Sequence, residues 1–252
     1  MTHRFAGAAA LAAALGIFAA APSRAQIGDK FVWSQLRIGP DWDPYPGVHA
    51  EILKFVVDTT SVLVIPERRT LSPTDPELFG SPFVLLSGKQ PPAPLNTEEI
   101  GRLRDYLTSG GFLWIEDSSG LPGSPFDAWV RKTLKTVLPD ADLKPLAKDH
   151  VLFKTFFLIR RPGGRVLVPG GVEGADWAGK TVVVYSRNDL IGAWARDPLG
   201  NFLFACVPGG EAQRLEAKKL TLNIVMYALT GSYKADAVHQ PFILQKMGAG
   251  GP

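Results

Sequence analysis

The sequence predicts a three-layer α/β fold, in which a mainly parallel sheet carries helices on both faces. Two observations lead there. From Phe31 onward, short β-branched or aromatic runs alternate with segments of helical period. Most of those runs are also continuously apolar, as strands buried on both faces must be. The chain has 252 residues, 46% of them hydrophobic, enough to fill one core.

The strands are expected at residues 31–38, 62–65, 83–86, 112–116 and 182–186. Three helices are marked by their ends. Over 97–108, Asn96 and Glu99 form a capping box, Ile100, Leu103 and Leu107 make one apolar face, and Gly110-Gly111 closes the helix. The next opens at Pro125 behind Ser124, buries Phe126, Trp129, Val130, Leu134 and Val137, and stops at Pro139. A last helix over 211–229 carries Leu215, Leu222, Val225, Met226 and Leu229 and ends at Gly231. Between Pro139 and Lys180 the pattern weakens around two glycine pairs, so an irregular insertion is expected there rather than a second domain. Residues 26–233 then form a single domain, and 234–252 a flexible tail.

Ahead of this domain, Arg4 precedes an apolar, alanine-rich stretch from Phe5 to Ala21 and a polar break at Pro22-Ser23-Arg24-Ala25. That order predicts a secretory signal peptide over residues 1–25, with Ser23 and Ala25 as the small residues at a cut after Ala25. The stretch is short for a membrane anchor, which needs about 20 apolar residues. No cysteine follows the cut, which argues against a lipoprotein. A periplasmic or secreted protein is expected, with no transmembrane segment in the mature chain.

The 27 basic and 24 acidic residues give +3. Arg4 and Arg24 leave with the signal, so the mature chain keeps 25 against 24. No dense run of Lys and Arg suggests nucleic acid or an anionic membrane surface. The single cysteine, Cys206, lies in an apolar run and reads as a buried, inert thiol. No glycine-rich dinucleotide fingerprint or Walker-type loop is present, so no cofactor is expected.

The loops and strand ends carry a more specific pattern. It comprises Trp42-Asp43-Pro44, the run Asp75-Pro76-Glu77-Leu78-Phe79, and the strand Pro82 to Gly88. Tyr106-Leu107 with Gly110-Gly111-Phe112-Leu113 follows before Glu116-Asp117, then Asp149-His150, Tyr185 to Leu190 with Trp194, and Asn223 to Gly231. In this order the residues resemble the bacterial domain-of-unknown-function family numbered 4159, over most of the chain from Trp33 to Gly231. The resemblance implies a flavodoxin-like fold similar to the class I glutamine amidotransferases, and little chemistry, since fold does not fix function. Longer relatives join such a domain to membrane-anchored segments, so this chain looks like a free-standing version.

In an open parallel sheet, ligands bind beyond the carboxyl ends of the strands, near the point where strand order reverses. The candidate ligand-binding residues gathered there are Asp41, Trp42, Tyr45, Ser87, Gly88, Glu116, Asp117, Ser118, Asn188 and Asp189, with His150 joining from the insertion. Glu116 to Gly120 stands where amidotransferases of similar fold hold their catalytic cysteine turn. No cysteine is present, which excludes thiol-dependent amidotransfer. A serine nucleophile at Ser118 puts Glu116 where a nucleophile elbow needs glycine. The order Ser118, Asp189, His239 matches the α/β-hydrolases, but His239 sits in the expected tail.

Asp117, Asp189 and His150 are also a conceivable metal set, though nothing in their spacing is diagnostic and no metal site is assigned. Structural duties compete at each position. Asp117 can cap the next turn, Asn188-Asp189 can form an Asx turn, and His150 can be a hydrogen-bonded turn residue. His49, after Gly47 near a helix start, is expected to face solvent. The stiff loop of Trp42 and Tyr45 either stacks on a ligand or partner, leaving an exposed apolar patch, or packs over the sheet edge.

The leading expectation is a non-catalytic domain of the cell envelope that binds a small ligand or an envelope protein, because loss of the defining nucleophile leaves the binding cleft. The alternative is an envelope hydrolase using Asp117 or Ser118 with His150 or His239. A catalyst needs its base within hydrogen-bond reach of the nucleophile.

Overall fold

Each apolar run that the sequence marks becomes a strand whose alternate side chains enter two separate cores. The computed structural model describes residues 30–248, and over 231–248 the helical backbone alone. In chain order the elements are β1 Phe31–Leu36, α1 Val48–Thr59, β2 Val64–Leu71, β3 Phe83–Gly88, α2 Thr97–Thr108 and β4 Phe112–Asp117. They continue with α3 Pro125–Val137, β5 Lys144–Pro145, β6 Val172–Trp177, β7 Lys180–Ser186 and α4 Gly210–Gly248.

The sheet has the order β2-β1-β3-β4-β7-β6-β5. The first five strands in that row run parallel, and β6 and β5 add antiparallel at one end. With β7 standing fifth, the parallel part has the doubly wound order of flavodoxin-like folds, whose winding reverses between β1 and β3.

Period-two alternation divides the strands between the layers. Phe31, Trp33, Phe83, Leu85, Phe112, Trp114 and Val184 face one way, into a core closed by Ile52 and Val56 of α1 and by Leu220, Ile224 and Val225 of α4. Leu36, Val84, Leu86, Leu113, Ile115, Val183 and Tyr185 face the other way, against Leu103 and Leu107 of α2 and Val130 and Leu134 of α3. Rings fill the centre of the first core, with Trp33 5.1 Å from Phe83 and 6.1 Å from Trp114 between centroids. Each such buried side chain contributes about 1.5–3 kcal/mol of transfer free energy.

The expected helix ends at α2 and α3 are present. Asn96 and Glu99 make the reciprocal capping box, and Ser124 caps α3 by accepting from the Asp127 amide at 2.9 Å. Other features depart from expectation for physical reasons. β2 runs six residues beyond Ile65 through polar residues and Pro66, because it is an edge strand with one neighbour and tolerates a missing donor. The segment expected to be irregular supplies β5 and β6. The latter reads weakly because an antiparallel strand near the edge carries Glu173, Gly174 and Asp176 among its apolar residues. Helix α4 continues past Gly231, since an interior glycine costs only about 1 kcal/mol. Leu215, expected on its buried face, is 49% exposed. The tail expected over 234–252 and the signal expected over 1–25 lie outside the residues whose side chains are described. Among the described residues, no helix is long and apolar enough to cross a membrane.

Gly111 joins α2 to β4 because a side chain there has no room: an added Cβ would lie 2.3 Å from the Tyr106 ring. That ring is fixed by its hydroxyl, which donates to the Ser81 carbonyl at 2.7 Å and accepts from the Phe112 amide at 3.2 Å. Gly111→Ala is expected to lower stability by about 1–3 kcal/mol, read as a lower urea midpoint with an unchanged slope.

Candidate functional site

The ends of β4 and β7 carry acids because they sit where strands leave the apolar core. Alternation then sends Glu116 and Asp117 to opposite faces of the sheet. Glu116, fully buried, accepts from Trp114 Nε1 at 3.1 Å through one oxygen. The other accepts from the Leu190 amide at 2.6 Å and the Ser186 hydroxyl at 3.4 Å. Burial and then the neighbouring Asp189 carboxylate push its acid well above the usual range, only partly offset by the Leu190 amide.

Asp117 turns to the α3 side. One oxygen accepts from the Ser119 amide at 2.9 Å, and the other takes a short hydrogen bond from Ser124, the cap of α3. It therefore performs the turn-capping duty. Ser118 is 1% exposed and its hydroxyl has no hydrogen-bond partner, so no base is joined to it.

Asp189 is the centre of the arrangement. It adopts a left-handed backbone at φ 50° and is fully buried. One oxygen accepts from the Gly192 amide at 3.0 Å. The other accepts from the Tyr45 hydroxyl at 2.9 Å and from Arg165 Nε in a short ion pair. Burial raises its acid and the Arg165 charge opposes that rise. Burial, followed by the Asp189 charge, lifts the Tyr45 phenol above its ordinary range. Arg165 also reaches the Ser119 carbonyl at 3.3 Å, bridging the ends of β4 and β7. Asn188 beside it accepts from the Val168 amide at 2.8 Å and packs against Gly164 and Gly171, where an added Cβ would collide with it.

A second group stands at the reversal between β1 and β3. Asp41 accepts from the Lys89 and Gln90 amides at 2.7 and 3.0 Å, and the Ser87 hydroxyl donates to the Trp42 carbonyl at 3.1 Å. Gln35 binds that carbonyl at 2.9 Å, and Arg68 bridges Gln35 and Asp43 at 3.1 and 2.8 Å. Gly88 lies against Phe126 and accepts from the Ser118 amide at 2.9 Å. Beneath the start of α1, Gln35, Asp43, Arg68 and Ser87 of this group line a pocket with about 230 Å³ of empty space, its open mouth included, together with Trp33, Tyr45, Val48 and His49.

The strand-end residues thus divide. Tyr45, Glu116, Ser118 and Asp189 meet in one network, Ser87 lines the pocket, Trp42 joins it through its carbonyl, and Asp41 caps the Lys89 turn outside it. His150 belongs to neither. Its Nε2 contacts Thr181 Oγ1 at 3.1 Å and its Nδ1 accepts from the Leu152 amide at 3.2 Å, as a turn histidine. Thr181 stands five residues before Ser186, the register partner of Glu116, so it is roughly 16 Å away along the strand. The pairing of His150 with Asp117 or Ser118 is accordingly corrected, because the insertion carries the histidine to the opposite end of the sheet. The side chain of His239 lies outside the described residues. Asp117, Asp189 and His150 do not converge, and among the described residues no group of three or more His, Cys, Asp or Glu side chains could hold a metal ion.

The aromatic loop also differs from an exposed patch. Tyr45 is 7% exposed, and Arg68 stacks on Trp42 at 4.7 Å. His49 does not face solvent, since its Nδ1 is buried without a partner. Burial and the Arg68 charge lower its pKa. Cys206 is buried as expected. Arg165, Gln35, Arg68 and Trp33 escape a sequence reading. The one available signal for Arg165 is electrostatic, since a buried Asp189 requires a cation and the insertion holds several arginines.

Two substitutions test this network. Arg165→Met leaves Asp189 buried without its charge partner and is expected to cost about 3 kcal/mol in chemical denaturation. A carboxyl whose folded pKa is raised contributes stability that is full below its unfolded pKa and is lost as pH rises through the folded one. Glu116→Gln removes that loss, so stability measured from about pH 5 to 8 falls less steeply than in wild type. The variant is also less stable at the acid end, because its amide opposes Trp114 N–H.

No curated protein matches the chain. A family model described as "Domain of unknown function (DUF4159)" matches residues 32–229, which spans β1 through most of the packed part of α4, and the chain belongs to that family.

Proposed function

We propose that the protein is an exported, non-catalytic binding domain of the cell envelope, which takes its ligand beyond the carboxyl ends of the parallel strands. One observation carries the reading. At the turn where amidotransferases of similar fold place their nucleophile, this chain holds Glu116-Asp117-Ser118, with both acids engaged in internal hydrogen bonds and the serine hydroxyl buried without a base. A nucleophile needs a general base in contact and an open approach. Arg165 and Tyr45 occupy that approach by closing on Asp189. The pocket at the β1/β3 reversal remains open, at the place where doubly wound sheets bind ligands. Export is supported by the order of basic start, apolar stretch and small-residue break over residues 1–25.

A fluorophosphonate probe followed by intact mass measurement is expected to leave the purified protein unmodified. An adduct that disappears in Ser118→Ala would show a working serine nucleophile and overturn the non-catalytic reading. Expressed in a bacterium from its own start, the protein is expected in the envelope or medium with Gln26 as its first residue. Recovery in the cytoplasm with an intact N-terminus would overturn export.

A further inference from the structure

The pocket at the β1/β3 reversal contains two buried polar atoms that the fold does not satisfy. Trp33, 1% exposed, lines the pocket, and its Nε1–H has no hydrogen-bond partner. His49, in the first turn of α1, also lines it and has Nδ1 buried without a partner. A buried donor left unmade costs about 1–3 kcal/mol, and tryptophan can only donate. The missing group opposite Trp33 is therefore an acceptor.

The surroundings define that acceptor further. The pocket lies under the N-terminus of α1, a helix of 12 residues whose Gly47 cap supplies no side-chain hydrogen bond. The Val48 and Ala50 amides of its first turn already donate to the Tyr45 and Gly47 carbonyls at 3.3 and 3.0 Å, so what the helix offers the pocket is the positive end of its dipole rather than a row of free amides. Arg68 stands in the wall, and Lys89 holds its ammonium 4.4 Å from the ring of Tyr45, another lining residue. The one acid lining the pocket, Asp43, is already joined to Arg68 at 2.8 Å. The groups left over are thus donors or positive ends of dipoles, together with a histidine nitrogen that serves in either role. The acidic Asp43 side chain in the same wall, taking up part of the Arg68 charge, disfavours a doubly charged ligand.

We propose that this pocket binds a carboxylate, held by Trp33 Nε1–H and His49 at the positive end of α1, and belonging to a small organic acid or to the free end of a short peptide. The proposal rests on the binding reading above and names the ligand class of that site. A planar, singly charged head satisfies the donors without crowding Asp43, and the rest of the molecule leaves through the mouth beside Trp42 and Tyr45.

The test is nuclear magnetic resonance on the mature protein, titrated with sodium acetate, with the tripeptide Gly-Gly-Ala, with its C-terminal amide and with inorganic phosphate, at constant ionic strength. The Trp33 Nε1–H signal, identified by sequence-specific assignment of the wild-type protein, is expected to move saturably with acetate or the tripeptide, together with the His49 ring signals. Tripeptide binding at least tenfold tighter than acetate assigns a peptide end; similar affinities assign a small acid. Trp33→Phe keeps an aromatic ring and removes the donor, so binding is expected to weaken at least fivefold in a variant with wild-type circular dichroism. The wild-type shifts decide the matter by themselves should that variant not fold. Three results overturn the proposal: no movement of the Trp33 and His49 signals, equal binding of the amidated tripeptide, or tighter binding of phosphate than of acetate. A silent titration beside an unmodified Ser118 removes this ligand class and leaves the non-catalytic reading standing. A serine adduct removes that reading whatever acetate does.

Discussion

A single buried carboxylate organises the carboxyl ends of the parallel strands. Asp189 lies outside water, and an uncompensated charge there costs several kcal/mol, so the chain around it is obliged to deliver partners. Arg165 comes from the long segment between α3 and β6, Tyr45 from the loop before α1, and the Gly192 amide from the turn after β7. Three connections that have no reason to meet are thereby tied to one atom pair. The left-handed backbone of Asp189 itself is tolerated because those contacts over-determine it. Glu116 repeats the device one strand away, taking the Leu190 amide, and so couples the end of β4 to the same turn.

This arrangement gives the strand ends a closed centre and an open flank. Arg165 and Tyr45 close over the ends of β4 and β7 through Asp189 and the Ser118 and Ser119 carbonyls. The β1/β3 side has no such plug, since its arginine is held sideways against Gln35 and Asp43 by hydrogen bonds. Tyr45 contributes to both regions: its hydroxyl belongs to the Asp189 network and its ring to the pocket wall. Occupation of the pocket and the order of the Asp189 network therefore share a side chain, which gives a route for one to influence the other.

Much of the architecture was legible in the residues. Continuous apolar runs at β1, β3, β4 and β7 announced strands covered on both faces, and Asn96, Glu99, Ser124 and Pro125 announced helix starts through hydrogen bonds that are local in sequence. The weaker elements were those whose stability comes from elsewhere. β6 depends on pairing with β7, and α1 begins at a glycine with no capping side chain. For the candidate site, the rule that ligands gather at strand ends pointed to one edge of the sheet but could not separate its two faces, so Asp117 was grouped with Asp189 although alternation points it toward α3. His150 was misplaced because a 40-residue connection carries no local signal of which end of the sheet it visits. Trp33 and Gln35 were invisible as site residues because, within an apolar strand, a tryptophan and a glutamine look like core and its margin.

The two outer strands have a further consequence for how copies of this chain meet. β2 and β5 leave one side of their backbones without a strand partner, and each contains a proline, Pro66 and Pro145. Proline lacks the amide hydrogen that an incoming strand would need, and β2 adds the charges of Glu67, Arg68 and Arg69 beside it. Neither margin of the sheet offers an uninterrupted ladder to a second copy. The same residues that make β2 hard to read as a strand keep neighbouring copies from zipping together edge to edge at high concentration.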